Sequence, residues 1–203
     1  MHCFEYTCFT EMDQAARESL GRFRHAVFIQ RLGWEVAGTQ RDQGLEFDQF
    51  DGAHTHYVIA RDPDGAIVGC TRLLPTTQPY LLGEVFPHLC EQAPASNPAT
   101  WEISRYAATS TDPQLGIALF KATIRLARAM GASDVVAVTN CALERYFKQH
   151  GVTFSRLGTP VSQEHQRLVS LKFPADQFST FPHSLLARAA AWPARPQYLV
   201  PAC

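Results

Sequence analysis

Two short stretches of this sequence hold residues whose types and spacing can do chemistry. Glu46-Phe47-Asp48-Gln49-Phe50-Asp51 interleaves carboxylates with aromatic rings that favour burial. A carboxylate drawn inward with such rings needs a cation beside it, because an unpaired buried charge is too costly. Arg24, Arg72 and Arg105 are suitable partners, since a guanidinium meets a carboxylate through two parallel hydrogen bonds and so fixes its direction. The second stretch is Trp101-Glu102-Ile103-Ser104-Arg105. On a strand, alternation sets Glu102 and Ser104 on one face, with Ile103 and Arg105 on the other. A glutamate among apolar strand residues either faces solvent or is used. Ser104 beside it can hold a substrate oxygen. Each fragment also has a plainer reading: a solvated acidic loop, a structural ion-pair cluster, or the polar face of a half-exposed strand. His54 and His56 would share one strand face, but no further ligands stand at metal-binding spacing.

The elements that must position these groups follow from hydrophobic spacing. A capping-box-like start at Thr10 to Asp13 leads into a helix through about Arg31, with Ala16, Leu20, Phe23, Val27 and Phe28 on one face and Gly33 as its stop. Trp34 to Ala53 lacks periodicity, and its embedded Trp34, Phe47 and Phe50 predict an ordered, functional loop. Tyr57 to Arg61 and Ile67 to Leu74 form a hairpin about the turn Asp62-Pro63-Asp64-Gly65. Pro75, Pro79 and Pro87 punctuate an irregular connection. A strand over Trp101 to Ala107 precedes an amphipathic helix that runs to Met130 and is closed by Gly131. Val135 to Val138 reads as a buried strand, Cys141 to His150 as a helix ended by Gly151, and Phe154 to Leu157 and Arg167 to Phe173 as further strands. The order predicts an α/β fold: a three-layer α-β-α sandwich with a mixed, splayed sheet that can admit an extended thioester. One domain spans 1–203, with a less regular, partly helical tail from about 174.

Composition narrows the setting. At 203 residues, 46% hydrophobic and 18% charged, the chain can bury a sizeable core. A net charge of −1 argues against a nucleic-acid partner, which needs a basic face. No apolar run approaches the roughly 20 residues of a membrane span, and no export leader is evident. Cys3, Cys8, Cys70, Cys90, Cys141 and Cys203 form no C-x-x-C pair and are expected to be reduced in the cytoplasm.

Taken jointly, Arg24…Phe28…Leu32-Gly33-Trp34, then Glu46-x-Asp48-Gln49-Phe50-Asp51, then Gly69-Cys70-x-Arg72-Leu73-Leu74-Pro75-Thr76-Thr77, then Trp101-Glu102-x-Ser104-Arg105 resembles the autoinducer synthase family. The likeness extends from the first helix to Gly151. It implies a fold similar to that of the general N-acetyltransferases and synthesis of an N-acyl-homoserine lactone signal. In such enzymes the amino group of S-adenosylmethionine attacks an acyl thioester borne on acyl carrier protein or coenzyme A. The methionine carboxylate then closes the lactone and expels 5′-methylthioadenosine. S-adenosylmethionine is consumed as a substrate, and no cofactor or metal is implied.

The resemblance implies Glu102 as the base for amide formation, with Glu46 the competing candidate and Ser104 and Arg105 beside them. Arg24, Phe28 and Trp34 are expected on the S-adenosylmethionine side, and Asp48, Asp51 and Arg72 in an ion-pair network that organises the loop. Leu119, Ile124, Met130, Val138 and Leu157 are candidates for the acyl pocket, with Thr139 or Asn140 near a 3-position oxygen. Ordinary core packing fits these apolar residues equally well. Lys121, Arg125, Arg128, Lys148 and Arg156 offer either a basic face for an acidic carrier protein or a merely solvated surface. Two rivals stand beside this reading. Gln114-Leu115-Gly116-Ile117-Ala118 faintly resembles the pyrophosphate loop of coenzyme A-dependent N-acyltransferases, and a non-catalytic thioester- or signal-binding protein is the alternative of a different class.

Overall fold

Apolar residues at every second position build a sheet covered on both sides, in a computed structural model that describes residues 3–35, 43–163 and 166–178. The strands are β1 (Cys3–Cys8), β2 (His56–Arg61), β3 (Ile67–Pro75), β4 (Thr100–Ala108), β5 (Asp134–Asn140), β6 (Ser155–Arg156), β7 (Val161–Gln163) and β8 (Gln166–Pro174). Their order is β1-β2-β3-β4-β5-β8-β6, with β7 also paired to β8. All neighbours are antiparallel except β4 and β5, which run parallel. The helices are α1 (Gln14–Arg24), α2 (Leu81–Glu84), α3 (Leu115–Ala129) and α4 (Cys141–Gln149). Asp13 starts α1 by accepting from the Ala16 N–H at 2.7 Å, and Asn140 starts α4 by accepting from Ala142 and Leu143.

Alternation assigns the two faces. Val58, Leu73, Trp101, Ile103, Val135 and Ala137 pack beneath α3 and α4 with Leu119, Phe120, Ile124 and Phe147. Tyr57, Ile59 and Cys70 point the other way, against Leu20, Val27 and Phe28 of the first helical segment. Leu74 and Val136 join Phe50, Leu82 and Leu89 in a third cluster on that same side. Helices on both faces of a mixed sheet make the three-layer α-β-α sandwich that the element order predicts.

The ladder departs from regular pairing at two places. β4 and β5 pair only from Thr100 opposite Asp134 to Ile103 opposite Ala137, although β4 continues to Ala108 and β5 to Asn140. Beyond that point the two strands have parted. In the β3–β4 ladder Arg72 faces Ser104 but Cys70 faces Ala107, so β4 holds an extra residue there. That bulge contains Arg105, whose φ of 50° lies in the left-handed region that non-glycine residues seldom occupy.

Several elements differ from the expectation. β1 was not foreseen, because a partly exposed edge strand need not alternate cleanly. The first helix is α-helical only to Arg24 and then widens into a π-helical segment, His25–Arg31. The connection after Pro75 contains α2, a single turn. The tail beyond residue 178 lies outside the described residues, as do positions 36–42 of the loop.

Candidate active site

The acidic loop folds inward because Gly21 on α1 leaves room for it. A methyl group there would lie 2.7 Å from the Phe47 ring, and the Glu46 N–H donates to the Gly21 carbonyl at 3.1 Å. The loop thereby meets the three arginines proposed as its partners. Arg24 Nε donates to Glu46 at 2.6 Å, and its two terminal nitrogens reach Asp51 at 2.9 and 3.1 Å. Arg72 holds Asp48 at 2.5 and 3.0 Å and donates from Nε to Ser104 Oγ at 2.9 Å. Arg105 closes the circuit, donating to Glu46 at 3.0 Å and Asp48 at 2.6 Å. Tyr57, fully buried on β2, donates to Asp51 and accepts from Arg24. The sequence offered no signal for Tyr57 beyond its place at the start of a strand.

Burial alone would raise the Glu46 carboxyl, but Arg24 and Arg105 overcome it and hold that pKa below the usual carboxylate value. Burial is likewise outweighed at Asp51, where Arg24 and Arg72 leave the group firmly ionised. The network is a set of fixed charges, and Glu46 is therefore a poor proton acceptor.

Alternation placed Arg105 on the face away from Ser104, and this is corrected. The bulge turns Arg105 to the same side as Glu102 and Ser104, where both partners of its ion pairs lie. From there its guanidinium stands 5.6 Å from the Phe28 ring centre and 5.7 Å from that of Trp34. The two rings stack, 4.8 Å apart, and the Trp34 N–H donates to the Phe28 carbonyl at 2.8 Å. The π-helical segment thus sets Phe28 inward and brings the chain back so that Trp34, partly exposed, covers it. Arg24, expected with these rings on the substrate side, is instead wholly enclosed in the network. Its fork is spent on Glu46, Asp51 and Tyr57.

Glu102 lies on the same face in a different environment. It is fully buried, and its two oxygens accept from the backbone N–H groups of Leu81 (2.9 Å) and Leu82 (2.7 Å) at the start of α2. Desolvation dominates over these hydrogen bonds, so its pKa is pushed up to about 7. A carboxyl balanced near neutrality can take and return a proton. The Leu81 and Leu82 amides could not be foreseen, since backbone donors leave no mark in side-chain pattern.

The candidates for the apolar pocket divide between the faces. Val138 and Leu157 border the cluster of Leu74, Leu82, Leu89 and Val136, on the side of Glu102. Leu119, Ile124 and Met130 belong to the core beneath α3, and Thr139 shares that direction with Val135 and Ala137, on the opposite face. Of the basic residues, Arg156 is paired bidentately with Glu144, Lys121 stands over Phe178, and Arg128 reaches the Asp176 carbonyl. An open groove of about 370 Å³ does hold two cations, Arg145 and Arg167, together with Leu32, Trp34, Asn140 and Cys141. Trp34 therefore lines both this groove and the stack over Arg105.

A family model described as autoinducer synthase matches residues 8–181. An acyl-homoserine-lactone synthase of Pseudomonas aeruginosa is 51% identical over 159 residues, covering 78% of this chain and 79% of the relative. One from Pseudomonas chlororaphis is 40% identical over 175 residues, covering 86% and 88%. TofI, solved in a ternary complex with an inhibitor and MTA, superposes with a TM-score of 0.78 at 36% identity, over 85% of this chain and 91% of its own. BjaI, a CoA-dependent acyl-homoserine lactone synthase solved with SAM and isopentyl-CoA, gives 0.79 at 27% identity, over 87% and 85%. Escherichia coli ElaA, at 12% identity and a TM-score of 0.63 over 85% of this chain and 99% of its own, shares the fold alone.

Proposed function

Because the chain belongs to the autoinducer synthase family and is an acyltransferase of the acyl-homoserine-lactone synthase type, we propose that it joins S-adenosylmethionine to a fatty acyl thioester and closes the product to an N-acyl-L-homoserine lactone. The observation that carries the mechanism is Glu102, buried, poised near neutrality and beside the point where β4 and β5 part. An ammonium cannot attack a carbonyl, so Glu102 takes a proton from the amino group, directly or through a water. The amine nitrogen then bonds to the acyl carbon, and the thioester sulfur leaves as a thiol. Backbone N–H groups of β4 beside Ser104, past the end of its pairing with β5, are suited to the tetrahedral oxyanion. In the second step the methionine carboxylate displaces the sulfonium at its own γ-carbon, which requires folding of the substrate more than acid–base help.

Phe28 and Trp34 supply aromatic faces to S-adenosylmethionine, and the groove beside Trp34 is of a size to take its adenosyl portion. The acyl chain takes the side of Val138 and Leu157, where apolar residues lie on the same face as Glu102. Arg24, Arg72, Arg105, Glu46, Asp48 and Asp51 act together as a rigid frame that aims Ser104 and carries the aromatic pair. The donor is an acyl carrier protein or acyl-coenzyme A, and BjaI with isopentyl-CoA supports the latter chemistry within the family. No separate cofactor takes part. No helix among the described residues is long and apolar enough to cross a membrane, and we place the reaction in the cytoplasm, where both substrates are made.

Mass spectrometry of products from the purified chain, S-adenosylmethionine and a panel of carrier-protein and coenzyme A thioesters tests this. An acyl-homoserine lactone with methylthioadenosine is expected, and the best donor identifies the carrier and the acyl group. An acylated amine without lactone would point to a general acyltransferase instead.

A further inference from the structure

The two amides that meet Glu102 come from a single helical turn, and that turn is fastened through two residues the chemistry above does not use. Leu81 and Leu82 bring their N–H groups to the two oxygens of Glu102 from α2, which is only four residues long. A turn so short cannot hold its own direction. Tyr80, which precedes it, supplies that direction. Its ring is buried in the cluster of Phe50, Leu74, Leu82, Leu89 and Val136. The ring also lies against Gly83: a methyl group built there would stand 2.6 Å from Tyr80 Cε1 and 2.9 Å from its Cζ. A side chain at position 83 therefore has to displace the ring or lift the turn from it. The Tyr80 hydroxyl donates to the Ala95 carbonyl, in the connection that leads to β4. That connection is tied down in turn, because Thr76 Oγ1, just after β3, lies 2.9 Å from the carbonyls of both Asn97 and Thr100. Thr100 is the first residue of β4, so the fastening begins and ends on the strand that carries Glu102.

The charges that act on Glu102 are Arg72 from β3 and Arg105 from β4, and both guanidiniums are committed to the acidic loop. From the α2 side the titratable neighbours are Tyr80 and, beyond it, Cys90, while Phe50 of the loop and Val136 of β5 carry no titratable group. Burial and the nearby Glu102 carboxyl push the Tyr80 phenol up to about 12. The hydroxyl thus keeps its hydrogen, and stays a donor, throughout the range in which Glu102 titrates.

We propose that Tyr80 and Gly83 are positioning residues for the base: the ring seated on Gly83 and the hydroxyl tied to Ala95 keep both α2 amides on Glu102. The inference rests on the function proposed above, in which Glu102 takes a proton from the amine. The amides favour the ionised carboxyl, which is the form that accepts a proton, so a turn that draws back leaves Glu102 protonated to higher pH. Tyr80 and Gly83 act through Glu102 and exchange no proton with the substrate themselves.

Carbon NMR of the full chain, labelled at the glutamate carboxyls, reads the titration of Glu102 without turnover, its resonance identified by its loss from Glu102→Gln. The wild type titrates near 7. Gly83→Ala is expected to raise that midpoint by about one pH unit, and Tyr80→Phe, which keeps the ring, by about half of one. The pH profile of kcat moves with it, so Gly83→Ala is about fivefold slower near pH 7 and approaches the wild type by about pH 9. A midpoint unmoved in folded Tyr80→Phe, or a fall in kcat that is equal at every pH, overturns the positioning role. The first of these decides even where Gly83→Ala does not fold. A midpoint that moves in the NMR titration but not in kcat would count against Glu102 as the base, and so against the proposed function, with the positioning of the amides upheld.

Discussion

Glu46 and Glu102 are both fully buried carboxylates on one face of the same sheet, yet they are held in opposite states. Glu46 lies between Arg24 and Arg105, whose charges outweigh its desolvation and keep it ionised. Glu102 is hydrogen-bonded by the neutral amides of Leu81 and Leu82, and these, even with the charges of Arg72 and Arg105 farther off, fall short of its desolvation and leave it near 7. Burial is common to both, so the kind of donor decides the chemistry. A guanidinium makes a buried carboxylate a fixed part of the frame, whereas a pair of backbone N–H groups leaves it able to exchange a proton.

The sharpest way to break this comparison is to remove each carboxylate's charge in turn. Glu102→Gln is expected to lower turnover by about 100- to 10,000-fold, with S-adenosylmethionine binding retained by titration. Unchanged turnover in that variant would remove Glu102 as the base and return attention to Glu46. Next in size, Arg24→Ala takes from Glu46 and Asp51 one of the two guanidinium partners each holds, leaves the buried network with excess negative charge, and should cost about 3–5 kcal/mol of stability in a urea titration. A loss under about 1 kcal/mol would show that water compensates the frame, contrary to its burial.

The two environments also separate in pH. Glu102 must be ionised to accept a proton, so the rate should rise with pH to a midpoint near 7 and level off above it. Glu46 and Asp51 have depressed values in the folded chain, so their contribution to stability is present above the ordinary carboxylate value of about 4 and is lost as pH falls below it. Activity should therefore fade at pH 5–6, roughly one to two units below the Glu102 midpoint, while thermal melting still reports a folded protein. Coincident loss of activity and fold would collapse the distinction. The smallest effect concerns the rim of the frame: Trp34→Ala should raise KM for S-adenosylmethionine about two- to fivefold with little change in kcat.

Much of this was legible in the residues themselves. The hairpin, β4, α3, β5 and α4 follow from apolar period and from Gly and Pro punctuation, because those signals depend only on near neighbours in the chain. Carboxylates interleaved with Phe47 and Phe50 call for cations if the loop turns inward, and Arg24, Arg72 and Arg105 are suitable partners, although pattern alone leaves a solvated loop open. Tertiary structure decided the rest. Strict alternation sends Arg105 to the wrong face, and only the ladder between β3 and β4 reveals the extra residue that turns it back. Arg24 joined the frame and left the aromatic pair because Gly21 lets the loop settle directly on α1. Leu119 and Val138 are alike in composition, and their separation onto opposite faces comes from which helix covers which side. The protonation of Glu102 depends on two amides some twenty residues away in the chain, supplied by a helical turn with no side-chain signature. Sequence specified the groups and the need to pair them; the environment that sets each one's charge exists only once distant segments exclude water together.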